Sequence, residues 1–121
     1  MNLRELTIDD VKIRLIVEPD DTPVRGNALA SGDDRVDRAA ENEILARLEA
    51  GDTWAWALVR VTVSWQNLSG YDTLGCCNYR DETDFRDSGT YDDMVACALD
   101  DLNNAIEGLA ADLATLEEKA Q

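Results

Sequence analysis

The sequence predicts an α+β fold of order β-α-β-β-α, a three-stranded antiparallel sheet with two helices on one face and a long C-terminal helix. Three observations point there. From Trp54 to Trp65 the chain is rich in β-branched and aromatic residues and holds no Gly or Pro, the composition of a central strand. Val36, Ala40, Ile44 and Leu48 recur at four-residue steps, an apolar helical stripe. Val95, Leu99, Leu102, Ile106, Leu109, Leu113 and Leu116 alternate four- and three-residue steps, an unbroken heptad pattern.

Taken in order, Leu6 to Glu18 alternates, with Val11, Ile13, Leu15 and Val17 on one face, and reads as a strand ended by Pro19. Asp20-Asp21-Thr22-Pro23 is a turn, and the small residues from Val24 to Ser31 form a loop crossing the sheet edge. Ser31-Gly32-Asp33-Asp34 opens a helix with an oxygen-bearing cap and acids in its first turn, and Gly51 stops it. The helix therefore runs from about Asp33 to Ala50.

In the central strand Ala55, Ala57, Val59, Val61, Val63 and Trp65 share one apolar face, small at its start and suited to a close helix. Trp54, Trp56, Leu58, Arg60, Thr62 and Ser64 share the other. Trp54 and Trp56 then have two readings: an aromatic contact patch if that face is open, or core if Ile16 and the Val24–Ser31 loop cover it. Gln66 to Gly70 reads as a short loop, longer than a two-residue turn, leading into a strand over Tyr71 to Tyr79. That makes the second and third strands a hairpin, while the first can pair with either edge. Arg80 to Asp93 reads as an acidic loop and Tyr91 to Lys119 as the long helix. A helix of that length outruns a ten-residue strand, so Leu113 and Leu116 are left over as candidate contacts of a homodimer.

At 121 residues and 45% hydrophobic content, the chain is expected to fold as one domain over 1–121 with its own core. With 26 acidic residues against 11 basic ones and no His, the net charge is −15. Such a chain repels nucleic acid and anionic membranes and is attracted to basic surfaces. No apolar run approaches the length of a membrane span, and three cysteines, two of them adjacent, suit reduced thiols in a cytoplasmic protein.

Little here supports catalysis. No histidine, phosphate loop or nucleophile elbow is present, and no basic neighbour activates Cys76 or Cys77. Adjacent Cys76-Cys77 with a distant Cys97 is not a zinc pattern, and Asp81 to Asp87 lacks the spacing and glycine of a calcium loop. The expectation is a non-enzyme without metal or cofactor.

The charge is unevenly placed. Asp72 to Gln121 carries 13 acids against three bases, whereas Met1 to Tyr71 carries 13 against eight. Asp81, Glu82, Asp84, Asp87, Asp92, Asp93, Asp100 and Asp101 are the candidate interaction surface, able to imitate a run of phosphates. Glu41 and Glu43, in the first half, are expected to matter less to it.

Several stretches are distinctive together: Pro23-Val24-Arg25-Gly26-Asn27-Ala28, Ser31-Gly32-Asp33-Asp34, Gly51-Asp52-Thr53-Trp54-Ala55-Trp56-Ala57, Leu74-Gly75-Cys76-Cys77-Asn78-Tyr79, Asp81-Glu82-Thr83-Asp84-Phe85 and Tyr91-Asp92-Asp93-Met94. In this order they resemble a family of small acidic proteins encoded by bacteriophages, prophages and other mobile elements, over most of the chain from Pro23 to about Leu102. The resemblance carries over no catalytic or binding residue. It implies a setting, the cytoplasm of an infected or lysogenic bacterium. In that setting the expected function is inhibition by protein contact, the acidic half docking on a basic nucleic-acid-binding host protein such as a CRISPR effector or restriction enzyme. The alternative is a structural or regulatory phage protein, dimeric through its last helix, with incidental acidity.

Overall fold

A computed structural model of the chain describes residues 3–120. Its elements are β1 (Lys12–Pro19), α1 (Asp34–Glu49), β2 (Ala57–Trp65), β3 (Leu68–Cys77), α2 (Glu82–Asp87) and α3 (Thr90–Ala120), with 3-10 turns at Ile8–Asp10 and Thr53–Ala55. The three strands form an antiparallel sheet in the order β1-β2-β3, which places β1 beside β2. The fold is α+β with a long C-terminal helix, as the periodicities predict, and α2 is an addition inside the expected acidic loop.

β2 carries the clearest sequence signal. Ala57, Val59, Val61 and Val63 are fully buried, while Leu58, Thr62 and Ser64 are half-buried and Arg60 is exposed. This is the alternation of a strand with one face dry and the other partly wet. At its ends the pattern breaks. Trp65 is exposed, and the strand starts only at Ala57, because the Asp52 carboxylate accepts the Trp54 N–H at 3.2 Å and winds Thr53–Ala55 into a turn. Trp54 and Trp56 therefore precede the strand and do not lie on its second face.

The hairpin differs from expectation as well. β2 and β3 are joined by only two residues, Gln66 and Asn67, with Gln66 in the left-handed region at φ 55°. Likewise β1 begins six residues later than the alternation from Leu6 suggests. Thr7 N–H donates to the Asp10 carboxylate at 2.7 Å and Arg4 reaches the same carboxylate at 2.8 Å, coiling this stretch before the strand. The Arg4 guanidinium and then the Thr7 amide hold the Asp10 carboxyl well below the ordinary carboxylate range.

The chain forms two compact units. One comprises Met1–Arg14, Val61–Asp72 and Asp92–Gln121. Here α3 lies so close to β3 that a Cβ at Gly70 would strike the Ala98 carbonyl oxygen and the Leu102 backbone nitrogen. The Asp101 carboxylate accepts the Tyr71 N–H at 3.0 Å, and the Asn103 amide bonds both backbone groups of Leu6, at 2.9 and 3.1 Å. Burial along α3 falls away with distance: Met94, Val95, Ala98 and Leu102 are buried, Ile106 is half-buried, and Leu109, Leu113 and Leu116 are exposed.

The other unit comprises Leu15–Arg60 and Thr73–Tyr91. Its core joins Val24, Ile44, Ala55 and Trp56, with Ala28, Leu45 and Leu48 packed around them. α1 thus packs on the Thr53–Ala55 turn. Of the predicted stripe, Ile44 is buried and Ala40 and Leu48 are half-buried, Val36 is exposed, and Glu41 is buried beside them. Asp33 caps this helix by accepting the Arg35 N–H at 2.9 Å.

The glycines make a paired test of this arrangement. Gly70→Ala must displace helix backbone and is expected to lower stability by about 3 kcal/mol. Gly108→Ala, which meets nothing within 4 Å, removes a weak helix former and is expected to raise it by about 1 kcal/mol. Urea unfolding of both variants reads the two signs.

Candidate protein-contact surface

The eight acids singled out by the sequence are not equivalent. Asp81 is the N-cap of α2, its carboxylate accepting the Asp84 N–H at 2.8 Å. Asp84 in turn accepts the Arg80 N–H at 3.0 Å and faces the Arg80 guanidinium at 3.4 Å. The Arg80 amide, followed by the charge of the same residue, holds the Asp84 carboxyl below its ordinary value. Glu82 pairs with Arg86 one turn on, at 3.2 Å. Asp101 bonds the Tyr71 amide, as described above. These four carboxylates build the fold locally. Asp87, Asp92, Asp93 and Asp100 are exposed, and among the described residues they make no side-chain hydrogen bond or ion pair.

α2 exists because Asp81 caps it and Phe85 anchors it. Phe85 is fully buried, its ring 5.2 Å from Trp54, 5.1 Å from Tyr79 and 6.0 Å from Tyr91 between centroids, mostly edge to face. The Arg86 guanidinium lies 4.7 Å above the Tyr91 ring, a cation–π contact that also orients it toward Glu82. Trp54 is half-buried as one wall of this cluster. Trp56 is only 2% exposed, and its indole N–H donates to the Thr22 carbonyl at 2.7 Å. The two tryptophans therefore do not share a patch: Trp56 is core, and Trp54 is half-buried.

On α3 the geometry is more informative than the count. Asp93, Asp100 and Glu107 are seven residues apart, so they align in one exposed row about 10.5 Å from step to step, roughly opposite the leucine stripe. No base occurs on α3 before Lys119. Leu113 and Leu116, the candidate dimer contacts, are 49% and 64% exposed, and Leu109 joins them at 43%.

Three residues of structural weight escaped the sequence reading. Glu41 is 7% exposed and accepts the Gly26 N–H at 2.8 Å and an Arg25 N–H at 3.1 Å. It pins the 22–31 loop to α1, so it is not the inert control that its place in the first half suggested. Asp20 receives the Thr22 N–H at 2.8 Å and the Cys76 N–H at 2.7 Å, holding Cys76 in the left-handed region at φ 55°. Arg47, in the last turn of α1, donates to Asp52 at 2.8 Å, to the Tyr79 carbonyl at 2.6 Å and to Asn78 at 3.2 Å. A base is expected at that end of a helix, but nothing in the sequence says which backbone it reaches. The cysteines are free thiols, and burial, with Asp20 nearby, pushes Cys77 up to about 11.

No family model matches the chain, and no curated protein or solved structure does.

Two expectations follow from these contacts. Arg47→Ala leaves the Tyr79 carbonyl and the Asp52 carboxylate without their cation and is expected to cost about 2–4 kcal/mol, with Arg47→Lys recovering part of it in urea unfolding. The acid limb of stability is the second. Glu41 is held below its ordinary 4.5 by the Gly26 amide and then by Arg25, and Asp20 and Asp84 are likewise held below 3.8. The unfolded chain takes up these protons first, so their contribution is complete above about pH 4.5 and is lost as pH falls through the lower folded values. Urea midpoints measured against pH should drop below that point, and Glu41→Gln should make the drop shallower.

Proposed function

We propose that this protein acts by contact with another protein, as an inhibitor whose acidic helix occupies a basic nucleic-acid-binding surface of a bacterial host defence complex. The target class is a CRISPR effector or a restriction enzyme. The observation that carries this reading is the row Asp93, Asp100 and Glu107 on α3, exposed and without a base on the helix before Lys119. Exposed helices ordinarily balance such acids with lysines four residues away, which improves solubility and helix stability together. An unbalanced row gives up that stabilisation, and a basic partner restores it. The row is a periodic line of negative charge, the property by which a nucleic-acid-binding cleft recognises its ligand. Asp81, Glu82, Asp84 and Asp101 support the scaffold and fall outside the recognition set.

The test is capture from host lysate followed by charge reversal. A nuclease or CRISPR subunit retained by the wild-type chain should be released as salt rises and should compete with nucleic acid. Asp93→Lys, Asp100→Lys and Glu107→Lys together should abolish retention with an unchanged circular dichroism spectrum, while Glu43→Lys, also exposed, should not. A captured target indifferent to both salt and the triple reversal would refute charge mimicry.

A further inference from the structure

We propose that the outer turns of α3 are a docking stripe for a basic amphipathic helix of the partner. This deepens the protein-contact reading and rests on it. Leu109, Leu113 and Leu116 are 43%, 49% and 64% exposed and continue the heptad that upstream is buried at Leu102. They lie on one side of the helix over about 10.5 Å, the spacing by which one helix seats knobs against another. Scattered exposed leucines need no explanation, but three in heptad register form an unpartnered seam.

Charge decides what covers it. With Leu109 and Leu116 at d and Leu113 at a, the flanking positions are Ala110, Asp112, Glu117 and Lys119, so two acids stand beside the seam against one base. These flanks select the partner of a helix pair. A second copy fits poorly: in a parallel pair Asp112 faces Glu117 of the second copy. In either orientation two chains of net charge −15 meet, and Asp112 and Glu117 of both stand beside the seam against a single base from each, Lys119. A helix with leucines on its seam and lysine or arginine beside it meets both features at once. Ala110, at the e position beside Leu109 and Leu113, leaves room for close approach.

The test uses the full chain and a synthetic peptide of about three heptads with leucine at a and d and lysine at e and g, too like-charged to pair with itself. The peptide should bind the wild-type protein, more weakly as salt rises, and a counterpart with glutamate at e and g should bind at least tenfold less. Leu113→Gln with Leu116→Gln should weaken the basic peptide at least tenfold. Both sites are exposed, so the fold is retained, and every acid remains. A purely electrostatic attachment would survive that change and overturn the proposal. Absence of binding, equal binding of the acidic peptide, or a wild-type dimer in sedimentation that the glutamine variant dissolves would each overturn it too. The assay reads α3 without any host target, so its failure is distinct from failure of the capture experiment.

Discussion

The Arg47 guanidinium joins three stretches that are distant in sequence. It leaves the last turn of α1, binds Asp52 in the following turn, and reaches the Tyr79 carbonyl just past the end of β3. Around it the backbone is fastened in the same direction: Asp52 N–H donates to the Arg47 carbonyl at 2.9 Å, and Tyr79 N–H to the Trp54 carbonyl at 3.0 Å. The aromatic cluster of Trp54, Tyr79 and Phe85 therefore packs on backbone that these bonds hold in place. α2, only six residues long and too short to persist alone, depends on Phe85 in that cluster and on the Asp81 cap. A planar, forked donor is what this place requires, because a lysine could serve one acceptor well but not all of them.

The same chemistry separates two kinds of acid in a chain of net charge −15. Asp10, Asp20, Glu41 and Asp84 accept backbone amides and have depressed pKa values, so they act as hydrogen-bond acceptors that fasten neighbouring backbone. Asp87, Asp92, Asp93 and Asp100 are exposed and have no such work in the described fold. Net charge alone mixes these populations. The excess available to a partner is smaller and more localised than the composition implies, and its longest regular part is the row on α3.

What was legible in the sequence was whatever a period can express. The buried row Ala57, Val59, Val61 and Val63 and the upstream half of the α3 heptad follow directly from alternation and heptad spacing. Alternation alone places Trp54 and Trp56 on a strand face, but the Asp52 cap winds the chain there into a turn that no period announces. The first turn of α1 departs from its stripe for a related reason. Hydrophobicity favours Val36 over Glu41, yet Val36 is exposed while Glu41, a carboxylate satisfied by the Gly26 N–H and Arg25, is buried. Of the eight candidate acids, four are fold-building through contacts 3 to 30 residues away, information that composition and spacing do not hold.

The course of α3 links stability to the proposed contact. Up to Leu102 the helix is held by burial and by the Asn103 and Asp101 bonds to neighbouring backbone. Beyond Ile106 it has Gly108 in its interior and exposed leucines on its seam. Glu117 and Glu118 stand near the C-terminal end, where the helix dipole favours cations. Each feature opposes an isolated helix, and the roughly four turns beyond Ile106 are of a length that is marginal in water without packing. The outer part therefore gains its order chiefly by continuing a well-held helix. A basic amphipathic partner would reverse all but one of these terms, covering the leucines and placing positive charge beside the acids, with Gly108 the only remaining weakness. The outer turns of α3, with their leucines exposed, thus have much to gain from a partner of the opposite charge.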